Sequence, residues 1–478
     1  MSSVLSNLEH QEIWKNFEAI NAVPRASKKE ERIIAFMADF GKRLGLETIQ
    51  DATGNVIIRK PATPGRESAP VVVLQSHLDM VHQKNNDTVF DFDTQGIRMY
   101  IDGDWVRAEG TTLGADNGLG VAAIMGILES TDIPHPALEA LFTIDEETGM
   151  TGAKGLESGL LKGTVLLNLD TEDDHHLDIG CAGGIDVTAE LTYTPEDTIY
   201  GTYYTITVKG LKGGHSGMEI HKGLGNANKL MNRILYTLGE RYHIAVAGID
   251  GGGLRNAIPR ESTAVIATDA SIREAFEQVV KDIRAEFRTT EPDLVIEIAQ
   301  VASAGKVLPR QVQERLLRVL YAAHNGVYKM SSDFDDLVET SNNVARVQVG
   351  DGLIRILCLT RSSVESSKQD LARQLKATFE LMDATVTLSG DYPGWSPNAD
   401  SPVLKTMVSG YETLFGDKPD VVACHAGLEC GILAASYPGL DMISFGPTIL
   451  GAHSPDERVS ISSVNKFWKL LLHTLATI

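Results

Sequence analysis

Glu146 and Glu147 stand side by side where the apolar run Leu141-Phe-Thr-Ile gives way to Asp-Glu-Glu-Thr-Gly149. Successive residues at a strand end point to opposite sides. One glutamate of such a pair can bind a metal ion while the other meets the attacking water, the division that metal-assisted hydrolysis needs. Taken alone, a Glu-Glu pair is more commonly a solvated acidic loop. Here other apolar runs also end on metal-binding residue types. Val71-Val-Val-Leu-Gln-Ser leads into His77 and Asp79, and Val165-Leu-Leu-Asn-Leu leads into Asp170. Met442-Ile-Ser-Phe leads through a Gly/Pro loop to His453. Two histidines and several carboxylates form a ligand set for zinc or a similar divalent ion.

Each further candidate has a plainer alternative. His77 and Asp79 lie two apart, so their side chains can share a side, with the carboxylate orienting the imidazole; a surface turn is the alternative. Asp116, in Gly114-Ala-Asp-Asn-Gly118, has two oxygens with which to bridge two metals. It could equally be a helix N-cap or part of a phosphate loop, although neither GxGxxG nor Gly-Lys-Ser/Thr is present. Asp170 is followed by further acids and by His175 and His176, a pair more typical of a surface. His215, in Gly213-Gly-His-Ser-Gly217, could donate to a developing oxyanion, with His221 as its rival. Arg361, at a strand end, could grip a carboxylate as a bidentate fork, or be solvated.

These residues need elements to carry them. Short apolar runs alternating with helical segments predict parallel strands covered on both faces, with ligands at their carboxyl ends. Residues 29–45 predict an amphipathic helix, 55–59 a strand, 61–70 a surface loop and 119–129 a buried helix. From about residue 186 the pattern becomes that of half-exposed antiparallel strands with amphipathic helices at 227–238, 311–324 and 365–382. Ser271 with Glu274 predicts a capping box before a helix reaching Phe287. Strands are expected near 344–349 and 353–360, and Asn256 and Asn343 hold comparable places ahead of a strand. Two related α+β halves follow, a weak internal repeat. From about 391 the first texture returns, with helices at 402–415, 428–436 and 461–476 and a strand at 441–446. The expected architecture is α/β: a catalytic domain with a mostly parallel, helix-covered sheet from residues 1–185 and 391–478, and an inserted α+β lid domain at 186–390.

At 478 residues the chain is too long for one core. A net charge of -21 argues against nucleic acid and anionic membranes as partners. Four cysteines without CxxC spacing predict reduced thiols in a cytoplasmic protein. Residues 1–10 lack the basic and apolar regions of a signal peptide, and no apolar stretch is long enough for a membrane span.

The joint order is the specific signal: His-x-Asp, Gly-Ala-Asp-Asn-Gly, Asp-Glu-Glu-x-Gly, Leu-Asp-x-Glu, a mid-chain Gly-His and a late Gly-x-His. It resembles the family of co-catalytic di-zinc peptidases and deacylases that includes carboxypeptidase G, aminoacylase and the cytosolic dipeptidases. The likeness spans essentially the whole chain and is nearest to the bacterial dipeptidases. The resemblance implies that His77, Asp116 and Asp170 hold one zinc and that Asp116, Glu147 and His453 hold the other, with cobalt or manganese as substitutes. It implies Glu146 as general base and acid, Asp79 as support for His77, and His215 and Asn256 as contacts to the scissile carbonyl and the intermediate. Arg361 would take the substrate's terminal carboxylate. The Gly-His segment lacks the proline that some relatives carry after it, so the lid correspondences are looser. The implied activity is hydrolysis of small peptides, broad in specificity and including Xaa-His dipeptides, with a homodimer as one allowed assembly. An N-acyl amino acid deacylase with the same metal chemistry, or a non-catalytic binding member of the fold, are the alternatives.

Overall fold

The protein is described by a computed structural model covering residues 4–85, 87–334 and 336–478. Residues 1–3 of the amino-terminal stretch discussed above lie outside it. The chain divides into one unit of Met1–Gly180, Pro397–Ala423 and Leu428–Ile478, and another of Cys181–Ser396 with Cys424–Gly427.

The first unit is built on an eight-stranded sheet in the order Glu47–Gln50, Val56–Lys60, Leu138–Thr143, Val72–His77, Val165–Asn168, Asp441–Ser444, His176–Cys181 and Asp420–Cys424. The four strands from Leu138–Thr143 to Asp441–Ser444 are mutually parallel. Flanking pairings are antiparallel, so the predicted parallel sheet forms the centre of a mixed one. Val72–His77 and Leu138–Thr143 are buried along their whole length, as continuous apolar runs covered on both faces should be. Helix Ala115–Glu129 is apolar on every side and packs against both helix Gln11–Asn21 and strand Val72–His77. A small sheet joins Ile449–Leu450, Arg458–Ser460, Trp105–Ala108 and Met99–Asp102. It ties down both ends of the loop that presents His453.

The second unit holds a sheet in the order Val295–Val301, Thr202–Lys209, Ser262–Thr268, Ile244–Gly252, Val338–Gly350, Leu353–Ser362, Gly183–Thr192 and Thr385–Tyr392, with Gly326–Met330 pairing to Val338–Gly350. Read outward from the central pair, its two halves have the same order. Each half is a strand, a helix, two antiparallel strands, a second helix and an outer strand. The helices are Ala227–Gly239 and Arg273–Phe287 in one half, Arg310–Ala322 and Glu365–Glu380 in the other. Strand Gly183–Thr192 opens the second half, yet the whole first half intervenes before the rest of that half follows.

Two local expectations fail. Helix Arg273–Phe287 is capped at Ile272 with no side-chain bond, because the helix starts one residue too late for Ser271 to reach its first turn. Asn343 lies inside strand Val338–Gly350 rather than ahead of one, because that strand begins earlier than its apolar alternation suggests.

Candidate metal centre and its supports

Three adjacent parallel strands of the first unit deliver site residues at their carboxyl ends. Val72–His77 ends on His77, Leu138–Thr143 runs into Glu146 and Glu147, and Val165–Asn168 runs into Asp170. His77 Nε2 lies 3.1 Å from Asp116 Oδ1 and 3.5 Å from Asp170 Oδ1. His453 Nε2 lies 3.0 Å from Asp116 Oδ2 and 2.9 Å from Glu147 Oε2. The two oxygens of Asp116 thus face two different imidazoles. Within each of the groups His77, Asp116, Asp170 and Asp116, Glu147, His453, ligand atoms lie within 4.8 Å of one another.

The donor set fits divalent cations. Glu147 Oε1 and Asp170 Oδ1 are buried without a hydrogen-bond partner, a costly state for carboxylate oxygens unless a cation meets them. Burial would raise the Asp116 carboxyl, but His453 and His77 hold it well below the usual range. Burial raises Glu147 and Asp170. His453 is pushed up to about 11 by its bonds to Asp116 and Glu147. Burial opposes protonation of His77, yet Asp170 and Asp116 hold it well above its ordinary value. A divalent cation held by these residues would supply the positive charge that the carboxylate cluster calls for.

Asp79 orders two parts of the centre. Its Oδ1 lies 3.4 Å from His77 Nδ1 and accepts the Glu146 N–H at 3.1 Å. Its Oδ2 accepts the Glu147 N–H at 3.3 Å and the Ser27 hydroxyl at 2.8 Å. Glu146 belongs to neither ligand group. Burial lifts its carboxyl well above the usual range, with Asp170, Glu429 and Glu147 adding to the effect.

Asp116 is neither a cap nor part of a phosphate loop. Its φ of -81° and ψ of 115° are non-helical, and Gly114 caps helix Ala115–Glu129 without a side-chain bond. Glu457 serves the helix start instead. Its Oε2 accepts the N–H groups of Leu113 at 2.7 Å and Gly114 at 3.0 Å. Its Oε1 accepts those of Ala115 at 2.8 Å and Asp116 at 3.3 Å. The amides a phosphate would need are already occupied. From the other side, buried Arg25 donates to the carbonyls of Leu78, Asp79 and Gly114. Gly114 has a φ of +70°, and a Cβ there would lie 2.5 Å from Arg25. Glu457→Ala strands these buried N–H groups, and since each costs ~1–3 kcal/mol, a loss above ~3 kcal/mol is expected in urea unfolding. A near-neutral result would contradict this anchoring role.

His175 and His176 stay outside the centre: His175 Nδ1 lies 2.7 Å from the Tyr411 hydroxyl, and His176 Nε2 lies 3.8 Å from Asp173.

The second unit gathers the remaining predicted residues. His215 Nδ1 accepts the N–H groups of Gly217 and Met218, so in the neutral ring the proton sits on Nε2. Burial and Arg361 push its pKa down, which keeps the ring neutral. The Asn256 carbonyl accepts the Ser216 N–H at 2.7 Å, holding the two turns together. Arg361 is buried rather than solvated; it donates to the Tyr392 hydroxyl at 2.9 Å, and its Nε has no partner. His221 is exposed. Sequence reasoning missed His425, which is buried, lies 2.8 Å from Ser341 Oγ, and is pushed down to about 3 by burial and by Arg361. Its segment, expected in the first domain, groups with the second unit.

A mixed sheet carrying two such carboxylate–imidazole groups suits a metal-dependent hydrolase. Residues 73–477 match the model of peptidase family M20/M25/M40, and the chain belongs to that family. It is 43% identical to a cytosol non-specific dipeptidase of Escherichia coli over 100% of this chain and 99% of that protein. The crystal structure of aminoacylhistidine dipeptidase from Vibrio alginolyticus superposes with a TM-score of 0.94 at 43% identity, covering 100% of this chain and 98% of that one. The aminopeptidase PepT of Bacillus cereus shares the fold, with a TM-score of 0.58 at 15% identity over 98% of both chains. Among the described residues no helix is long and apolar enough to cross a membrane.

Proposed function

We propose that this protein is a cytoplasmic di-zinc dipeptidase of broad specificity that accepts Xaa-His dipeptides. The observation that supports this most is Asp116, whose two oxygens face His77 and His453 separately, with Glu146 next in sequence to one ligand and in neither group. Two relatives matched along the whole chain are a non-specific dipeptidase and an aminoacylhistidine dipeptidase.

Divalent ions held by the two groups would acidify a water and polarise the peptide carbonyl. The chain's own residues do the rest. Asp79 holds the Glu146–Glu147 turn so that Glu146 faces the attacking water. Burial lifts the Glu146 carboxyl well above the usual carboxylate range, which strengthens it as a proton acceptor. Glu146 takes the water's proton as its oxygen attacks the carbonyl carbon, then delivers it to the leaving amine nitrogen as the C–N bond breaks. His215 donates from Nε2 to the carbonyl oxygen as negative charge builds there, with Asn256 assisting. Arg361, with donors to spare, receives the substrate's terminal carboxylate.

Elemental analysis of metal-replete protein tests the reading. Two divalent ions per chain are expected, and one or none rejects it. His215→Ala should depress kcat with metal content unchanged, and His221→Ala should be milder, since His221 is exposed. The reverse ranking would assign the oxyanion role to the other histidine.

A further inference from the structure

Beneath the ligand-bearing strand ends of the first unit runs a line of buried polar side chains that the proposed chemistry does not use. Thr143, Gln75, Asn168 and Ser444 sit on four adjacent parallel strands, and Asp178 on the next strand over. Glu429 opens helix Glu429–Ser436 at one end of the line, and Thr171 bridges to Asp178 at the other. All seven are buried. Glu429 Oε2 accepts from Gln75 Nε2 at 2.7 Å and from the Thr143 hydroxyl at 2.6 Å. Gln75 Oε1 accepts from Asn168 Nδ2, and Asn168 Oδ1 accepts from the Ser444 hydroxyl. Ser444 Oγ lies 2.8 Å from Thr171 Oγ1, which lies 2.7 Å from Asp178 Oδ2.

Counting hydrogens along this line gives a definite result. Ser444 has one hydroxyl hydrogen, directed to Asn168, so it must accept from Thr171. Thr171 then has no hydrogen left for Asp178, and the link closes only if Asp178 is protonated and donates. Turning both amides over reverses every link. Thr171 then donates to an ionised Asp178, and Glu429 must carry the proton to donate to Gln75 Oε1. In either direction the line requires one proton, at one end or the other.

We infer that Glu429 and Asp178 share a single proton through Gln75, Asn168, Ser444 and Thr171, and that this closed line positions the strand ends bearing the metal ligands. His77 lies two residues beyond Gln75 on the same face of one strand, and Asp170 lies two beyond Asn168, just past the end of its strand. Glu146 lies three beyond Thr143. Supporting partners of this kind orient first ligands and tune their affinity. The surroundings favour a retained proton. Burial pushes Glu429 up to about 7 and Asp178 up to about 6. Glu429 faces the charges of His77, Asp170, Asp79 and Glu146, while Asp178 faces His176 and Asp173. Glu429 Oε1 is buried without a partner, which further disfavours two charged ends. Exchange between the two arrangements moves one proton from one carboxyl to the other, turns both amide planes over and reverses the two hydroxyls, and makes or breaks no bond to carbon.

The test is infrared difference spectroscopy on the metal-loaded protein near neutral pH, comparing wild type with Asp178→Asn and with Glu429→Gln. Each substitution leaves one carboxyl on the line, facing an amide that can close the other end as donor or as acceptor. The expected result is that wild type minus the double variant Asp178→Asn/Glu429→Gln shows one protonated-carboxyl band, and that neither single variant retains more than one. Two bands in that difference, or none, overturns the shared proton. This readout needs no substrate and stands apart from the dipeptidase assignment. For the positioning role, Asn168→Leu, which cuts the line at its middle, should lower metal affinity by roughly 10–100-fold. Unchanged affinity in a folded Asn168→Leu protein overturns that role.

Discussion

Glu146→Gln is expected to lower kcat by roughly 10²–10⁴ while leaving the metal content of the protein unaltered. Glutamine keeps the shape of the side chain but cannot accept a proton from water. Glu146 stands outside both ligand groups, so the metals have no reason to leave. Its raised pKa comes first from burial and then from the acids Asp170, Glu429 and Glu147, and glutamine relieves that repulsion, so stability should not fall. Steady-state kinetics with elemental analysis on the same preparation separate the outcomes. Glu147→Gln should behave differently and lose metal, because Glu147 lies in a ligand group with His453. Near-normal turnover in Glu146→Gln would move the proton-transfer role, first to Glu147 and then to Asp79.

Asp116→Ala is expected to remove both ions and, with them, all activity. Asp116 belongs to both ligand groups, whereas His77→Ala or His453→Ala each breaks only one. The effect should be local. The loop around residue 116 is held through its main chain by Glu457 and Arg25, and alanine leaves those bonds in place. Elemental analysis after dialysis against limiting metal measures the loss, and an unchanged unfolding midpoint of the metal-free proteins would confirm that the loop persists. If Asp116→Ala keeps one tightly bound ion, the two groups do not share this carboxylate.

The residues that mark the candidate centre are readable from sequence for a simple reason. His77, Glu146, Glu147 and Asp170 each follow a run so apolar that it must be a covered strand, and the polar residue that ends it must lie at the sheet edge. His453 follows the same logic through a loop. Asp116 is more ambiguous, because a Gly-Ala-Asp-Asn-Gly segment opening a helix also suits a cap. What decides between these readings is Glu457, which supplies the cap from 341 residues away. In its own neighbourhood, Ser454-Pro-Asp-Glu-Arg458, Glu457 looks like a solvated loop residue, and nothing local signals that it is buried. Arg25, His425 and Glu429 escape for the same reason: each is polar, buried and bonded to partners distant in sequence. The repeat in the second unit is visible as recurring helices and strands. Its boundary is not, because strand Gly183–Thr192 is separated from the rest of its half by the whole of the other half. The capping box at Ser271 failed because a one-residue shift in the helix start is enough to remove the cap.

The central claim, metal-dependent hydrolysis of dipeptides, is tested most directly by one side-by-side panel on the metal-replete protein. Dipeptides including Xaa-His, tripeptides and N-acetylated amino acids would be assayed with and without a chelator. The predicted result is turnover of a range of dipeptides, Xaa-His among them, that chelation abolishes and divalent metal restores, with N-acetylated amino acids left intact. Cleavage of N-acetylated amino acids in preference to dipeptides, or dipeptide turnover that survives complete metal removal, would contradict it.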